Sequence, residues 1–208
     1  MSDGIPGIDG YAGEAEELLR RYEAMPFADL HRHNLHLIPK APARVLDIGA
    51  GTGRDAAALA ALGYQVVAVE PTDALREGGR LLHALASIEW VDDGLPNLSQ
   101  VCSRAQVFDV VMMTGVWMHL DRDERRRAMP NVASLMRPGG VLIMSLRHGP
   151  VPAGRRMFEV TGQETIDLAE QEGLRTVQNI RAGPLSERNR RAGVTWTHLA
   201  FVKHPTLG

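Results

Sequence analysis

Residues 44–55 read Arg-Val-Leu-Asp-Ile-Gly-Ala-Gly-Thr-Gly-Arg-Asp. An apolar strand runs into an acidic residue, then three glycines at alternate positions, then a helical stretch. Few folds accommodate that series. Gly49, Gly51 and Gly53 let the backbone turn sharply and approach a ligand with no Cβ in the way. The helix that follows directs free N–H groups and its positive dipole end at the same place. Seventeen residues after Gly53, the next apolar strand ends in Glu70. A carboxylate there suits the two hydroxyls of a ribose. The pattern describes a nucleoside-cofactor pocket over the first two strands of a parallel sheet.

The rest of the chain alternates in the same way. Helices are predicted over 13–24 and 27–38, ahead of strand one at 43–48. Its helix spans 53–62, and strand two follows at 65–70. Pro71 stops that strand, and Thr72 or Asp73 caps a helix to about 85. Strands follow at 87–91 and 107–113, a helix at 122–136, and a strand at 140–146. A helix at 163–172 is capped by Thr161. Two last apolar runs, 174–180 and 194–203, read as an antiparallel pair around a polar loop. Strands alternating with helices predict a doubly wound, mostly parallel α/β sheet. At 208 residues, with 44% hydrophobic and 23% charged side chains, the chain suits one globular core. The domain is expected over 13–208, with 13–40 covering the cofactor and substrate, and residues 1–12 are expected to be loose.

Dinucleotide binders require G-x-G-x-x-G with a glycine on the helix. From Gly49 the last position is Arg54, and from Gly51 it is Ala56, so an NAD(P)-dependent oxidoreductase is the weaker reading. The alternate glycines with Asp47 two residues ahead instead resemble the first motif of class I S-adenosylmethionine-dependent methyltransferases. Val66-Val67-Ala68-Val69-Glu70-Pro71 resembles the second motif. Trp90-Val91-Asp92-Asp93-Gly94-Leu95-Pro96 is similar to the segment that holds adenine. Phe108-Asp109-Val110-Val111 resembles the fourth strand, and Leu135 to Gly140 the turn into the fifth. The resemblance covers about residues 20–205. It implies a seven-stranded Rossmann-like methyltransferase fold with a C-terminal antiparallel hairpin and S-adenosylmethionine as cofactor. Asp47, Gly49, Ala50, Gly51, Glu70, Pro71, Thr114, Tyr22 and one of Asp92 and Asp93 are the candidate cofactor residues. Asp47 reaches the ammonium of the methionine tail or holds the glycine loop.

Methyl transfer from a sulfonium needs alignment and exclusion of water more than acid–base groups. Beyond the strand ends, His119 is the candidate base, and Trp117 a candidate pocket wall. Arg147 and His148 leave strand five, and with Arg155 and Arg156 they concentrate positive charge. That charge predicts a small anionic acceptor. His31 is a further candidate acceptor contact. His31, His33 and His36 do not share one helix face, so no metal is expected. Arg125-Arg126-Arg127 reads as the wet face of a helix.

A net charge of −2 supplies no global basic field, so a nucleic-acid partner is not expected. The lone Cys102 excludes an internal disulfide, fits a reducing compartment and reads as a small buried hydrophobe. No signal segment and no membrane-spanning run are found, so a cytoplasmic location is expected. A SAM-binding regulatory protein without catalysis is the alternative outside the enzyme class, since methyl transfer needs no diagnostic catalytic residue.

Overall fold

A computed structural model describes residues 5–8 and 10–205. The elements are α1 (Ala15–Glu23), α2 (Phe27–Leu30), β1 (Arg44–Ile48), α3 (Arg54–Ala61), β2 (Gln65–Val69) and α4 (Asp73–Leu82). They continue with β3 (Ile88–Val91), α5 (Ser99–Cys102), β4 (Phe108–Thr114), α6 (Arg122–Ser134), β5 (Met136–His148) and α7 (Gly162–Gln171). The chain closes with β6 (Leu174–Ala182), α8 (Glu187–Arg191) and β7 (Thr195–Lys203). The strands form one seven-stranded sheet in the order β3-β2-β1-β4-β5-β7-β6. The first five run parallel, and β7 lies antiparallel to both β5 and β6. The order reverses at β1 and β4, which opens a crevice at the carboxyl ends of the strands.

Buried aliphatic residues pack on both faces of the sheet. Leu46, Ile48, Val111 and Met113 face the larger cluster with α6 and α7. Val45, Val66, Val110 and Met112 face the other, with α3. This is the near-continuous apolar character of strands covered on both sides. Among the described residues, no helix is long and apolar enough to cross a membrane.

Several expectations change in detail. Only the first turn of the region 27–38 is α-helix, and a 3₁₀ turn over 35–37 completes it. Two short helices, α5 and α8, were not anticipated. The Thr72 side chain makes no cap bond at α4, whereas Thr161 caps α7 by accepting from the Glu164 N–H at 3.0 Å. Arg125 is not on the wet face of α6. It is buried, one turn ahead of the core residues Ala128 and Met129 and two turns ahead of Val132. Residues 5–8 and 10–12 pack against the body of the domain. A Cβ on Gly7 would lie 2.5 Å from His119 Cβ, and one on Gly94 2.7 Å from Ile5.

The fold also buries histidine. His198 on β7 lies against His33, ring centroids 5.4 Å apart. Burial, then His33, His31 and Arg32, lower its pKa to about 4. An unfolded histidine takes up its proton near pH 6.5, so between about pH 6.5 and 4 the unfolded state binds more protons. Stability is therefore expected to fall as pH drops through that window, by roughly 2 kcal/mol from this residue after allowing for solvent screening. Urea titrations at pH 7 and pH 4.5 measure it. A midpoint no lower at pH 4.5 refutes the expectation.

Candidate functional site

The three loop glycines adopt positive φ, +70° at Gly49, +59° at Gly51 and +80° at Gly53. They serve different ends. A Cβ on Gly49 would stand 2.5 Å from Val116 Cγ2, and one on Gly53 2.5 Å from the Trp90 ring. Those two glycines admit close packing of neighbouring elements. At Gly51 a Cβ would meet only the Tyr22 ring, at 3.7 Å, so the open approach to a ligand belongs to that residue. The loop is anchored to the end of β2: Gly49 and Ala50 N–H donate to Val69 C=O at 2.8 and 2.9 Å.

Glu70 is buried, and its carboxylate is shared between two backbone amides. Gly51 N–H donates to Oε2 and Thr72 N–H to Oε1, each at 2.8 Å. Burial raises its pKa, against the opposing bonds from Thr72 and Gly51 and the charge of Arg76. An ionised carboxylate offers about four lone-pair positions, so Glu70 clamps the loop and still has acceptor capacity toward the cavity it lines.

Asp47, at the end of β1, is 2% exposed, and its Oδ2 has no hydrogen-bond partner. Burial, with Asp55 and Glu70 nearby, holds its carboxyl well above the usual carboxylate range, although Arg54 pulls the other way. An orphaned buried acceptor on a cavity wall is a position for a donor or a cation. For Asp55, burial alone would raise the carboxyl. His31 Nε2 and Arg54 Nε, each 2.7 Å away, overcome it and hold the group well below its ordinary value.

The cavity over these residues occupies about 1270 Å³. Asp47, Gly49, Ala50, Gly51, Glu70, Pro71, Thr114 and Tyr22 line it, as do His119 and Arg147. Helix α1 roofs the glycine loop: Thr52 Oγ1 donates to Glu23 at 2.6 Å, and Arg54 Nη1 to Tyr22 C=O at 3.2 Å.

Other candidates sit elsewhere. Asp93 accepts from the N–H groups of Gly94, Gln100 and Val101, the last two in α5. Its carboxylate caps a helix, and Gly94 and Leu95 stand on the cavity wall beside it. Asp92 accepts from Arg76 Nη1 at 3.2 Å. Trp117 is wholly buried, with its indole N–H unpaired. The ring of His148 turns to Thr197 Oγ1, 2.8 Å away. His31 is buried against Asp55. None of these five is on the wall of the large cavity.

His119 is held by both ring nitrogens. Nδ1 donates to Arg156 C=O at 2.7 Å, and Nε2 faces Tyr11 Oη at 3.0 Å. Burial lowers its pKa and Arg155, Arg147 and Arg156 lower it further, outweighing the bond to Arg156. The ring is therefore neutral, and its Nε2 accepts from the Tyr11 hydroxyl. Tyr11 was not legible as a site residue, because it stands in the Gly/Pro-rich segment expected to be loose. Its hydroxyl pKa is raised by burial and then by Tyr22, and Arg155 stacks 3.9 Å above its ring.

A family model described as a methyltransferase domain matches residues 19–204. Glycine N-methyltransferase of Rattus norvegicus is 29% identical over 168 residues, covering 71% of this chain and 55% of that protein. The chain thus spans about half the length of these curated relatives. Two solved structures share the fold. N-methyltransferase NodS from Bradyrhizobium japonicum, in complex with S-adenosylhomocysteine, superposes with a TM-score of 0.69 at 18% identity, over 94% of this chain and 99% of that one. The 1,6-didemethyltoxoflavin-N1-methyltransferase of Burkholderia thailandensis, with bound 1,6-didemethyltoxoflavin and S-adenosylhomocysteine, gives 0.67 at 21% identity, over 93% and 85%.

Proposed function

The chain belongs to the methyltransferase domain family and has the class I, S-adenosylmethionine-dependent fold; from this we propose that it transfers the methyl group of S-adenosylmethionine to a small anionic acceptor held by Arg147. The family match favours this cofactor over the dinucleotide alternative. The residues present suit it. The orphaned Asp47 Oδ2 takes an ammonium, the spare acceptor capacity of Glu70 takes ribose hydroxyls, and Gly51 leaves its backbone open beside them. Ala50, Pro71, Thr114 and Tyr22 complete the wall. Bound S-adenosylmethionine supplies a methyl group already activated on a sulfonium.

The observation that carries the acceptor class is Arg147. Arg155 pairs with Glu14, and Arg156 with Glu124 and Asp121. Arg147, half-buried on the cavity wall, has no carboxylate partner among the described residues. Its Nη1 donates to Pro150 C=O at 2.9 Å, and burial lowers its pKa. A desolvated guanidinium without a counter-ion is a binding position for a carboxylate or phosphate. Glycine, for which the rat relative is named, is a small molecule bearing a carboxylate. His119, neutral and on the cavity wall, has its Nε2 lone pair on the Tyr11 hydroxyl, and receives the acceptor's proton once Tyr11 yields that position.

Arg147→Gln tests the acceptor assignment. The KM for an anionic acceptor should rise roughly 10- to 100-fold, the loss of a hydrogen bond to a charged group, while S-adenosylhomocysteine affinity stays as it was. Loss of S-adenosylhomocysteine binding instead would move Arg147 to the cofactor and end the anion-anchor reading.

A further inference from the structure

The cavity as a whole is larger than a single small-molecule site and holds room for a cofactor and an acceptor together. A single small-molecule pocket is roughly 300–1,000 Å³, and this one is about 1270 Å³. Arg147 on β5 stands directly opposite Trp196 on β7 in the antiparallel register. Both line the cavity. The six-membered edge of the indole reaches over Gly115, 3.7 Å from where a Cβ would lie. Gly115 has φ +70° and no side chain, so nothing from that position covers the ring. Val151 and Leu185, also on the wall, are 52% and 40% exposed. The same cavity wall thus carries an apolar part, Trp196, Val151 and Leu185, and a charged point, Arg147, that has no carboxylate partner among the described residues. Covering that apolar part is worth roughly 25 cal/mol per Å².

We propose that the acceptor is an amphipathic anion with a flat aromatic or apolar body, seated on the Trp196 indole and flanked by Val151 and Leu185, while Arg147 holds its anionic group. This rests on the reading of Arg147 given above and adds the body of the molecule to it. Trp196 is then the residue that sets acceptor size. An offset-stacked or edge-on ring on an indole gains beyond its buried area, a gain that glycine, with no side chain, cannot make.

Calorimetric titration of the S-adenosylhomocysteine-saturated protein with glycine, phenylalanine, indole-3-acetate and phenethylamine tests this. Phenylalanine or indole-3-acetate should bind at least tenfold more tightly than glycine, and phenethylamine, which lacks the anion, more weakly than phenylalanine. Trp196→Ala should remove the tenfold preference and leave S-adenosylhomocysteine affinity intact, and Trp196→Phe should restore most of it. Equal affinity for glycine and the aromatic anions, no binding of either, or a preference that survives Trp196→Ala would each overturn the proposal. Failure of the wild-type protein to bind S-adenosylhomocysteine would instead sink the methyltransferase reading on which it stands.

Discussion

Glu70→Ala is expected to abolish useful cofactor binding and to weaken the fold at once. The carboxylate accepts from Gly51 and Thr72 N–H at 2.8 Å each, and both amides lie in a buried region. Removing it strands two donors, at roughly 1–3 kcal/mol each. It also frees the glycine loop at Gly51, the position that leaves the backbone open to the ligand, and deletes the acceptor proposed for the ribose hydroxyls. S-adenosylhomocysteine affinity should drop on the order of 100-fold or more, and the urea midpoint should fall with it. Glu70→Gln separates the two effects. An amide has one acceptor oxygen, so it serves one backbone N–H and loses the other, and stability should be intermediate. Calorimetry and urea denaturation on the three proteins decide it. Unchanged affinity in Glu70→Ala would remove Glu70 from the cofactor site.

The second large effect is structural. Arg125 is 3% exposed. Its Nε and Nη2 donate to Glu164 at 3.0 and 2.9 Å, Nη1 to Leu120 C=O at 2.5 Å, and Nη2 to Glu159 C=O at 3.3 Å. One guanidinium thereby joins α6 to the chain that enters α7. Breaking a buried pair by removing one partner costs about 3–5 kcal/mol. Because Glu164 is 26% exposed and regains some water, Arg125→Ala should lie near the lower end, about 3 kcal/mol. Arg125→Lys should recover little, since one ammonium cannot reproduce the forked contacts. Arg126→Ala, whose exposed partner is Asp123 at 3.4 Å, should stay within about 0.5 kcal/mol. Equal stabilities for the two alanine variants would disprove the anchoring role.

Arg125 shows why part of the molecule was hidden in the sequence. Three consecutive arginines look solvated as a run. Their helical phase says otherwise, because Arg125 precedes Ala128, Met129 and Val132 at i+3, i+4 and i+7 on the buried face. That signal was available in the spacing. Asp93 differs: it bonds to the Gln100 and Val101 N–H groups seven and eight residues on, past the N-cap Leu98, so local spacing does not reveal that it caps α5. Tyr11 carried no such signal. It meets His119 across 108 residues, and no local pattern anticipates that contact.

The sequence by itself determined the order of elements, the parallel sheet, the closing antiparallel pair, and the placing of Asp47, Gly51 and Glu70 around one crevice. These follow from constraints that act over a few residues: apolar alternation, a turn that only glycine makes, a carboxylate at a strand end. Only the tertiary structure decided how the side chains divide their partners. It gave Glu70 to two amides, left Asp47 Oδ2 unpaired, turned His148 to Thr197, buried His31 on Asp55, and left Arg147 beside Trp196 with no carboxylate partner among the described residues. Those outcomes depend on which polar groups packing brings within hydrogen-bond distance and deprives of water, and that is a property of the assembled fold.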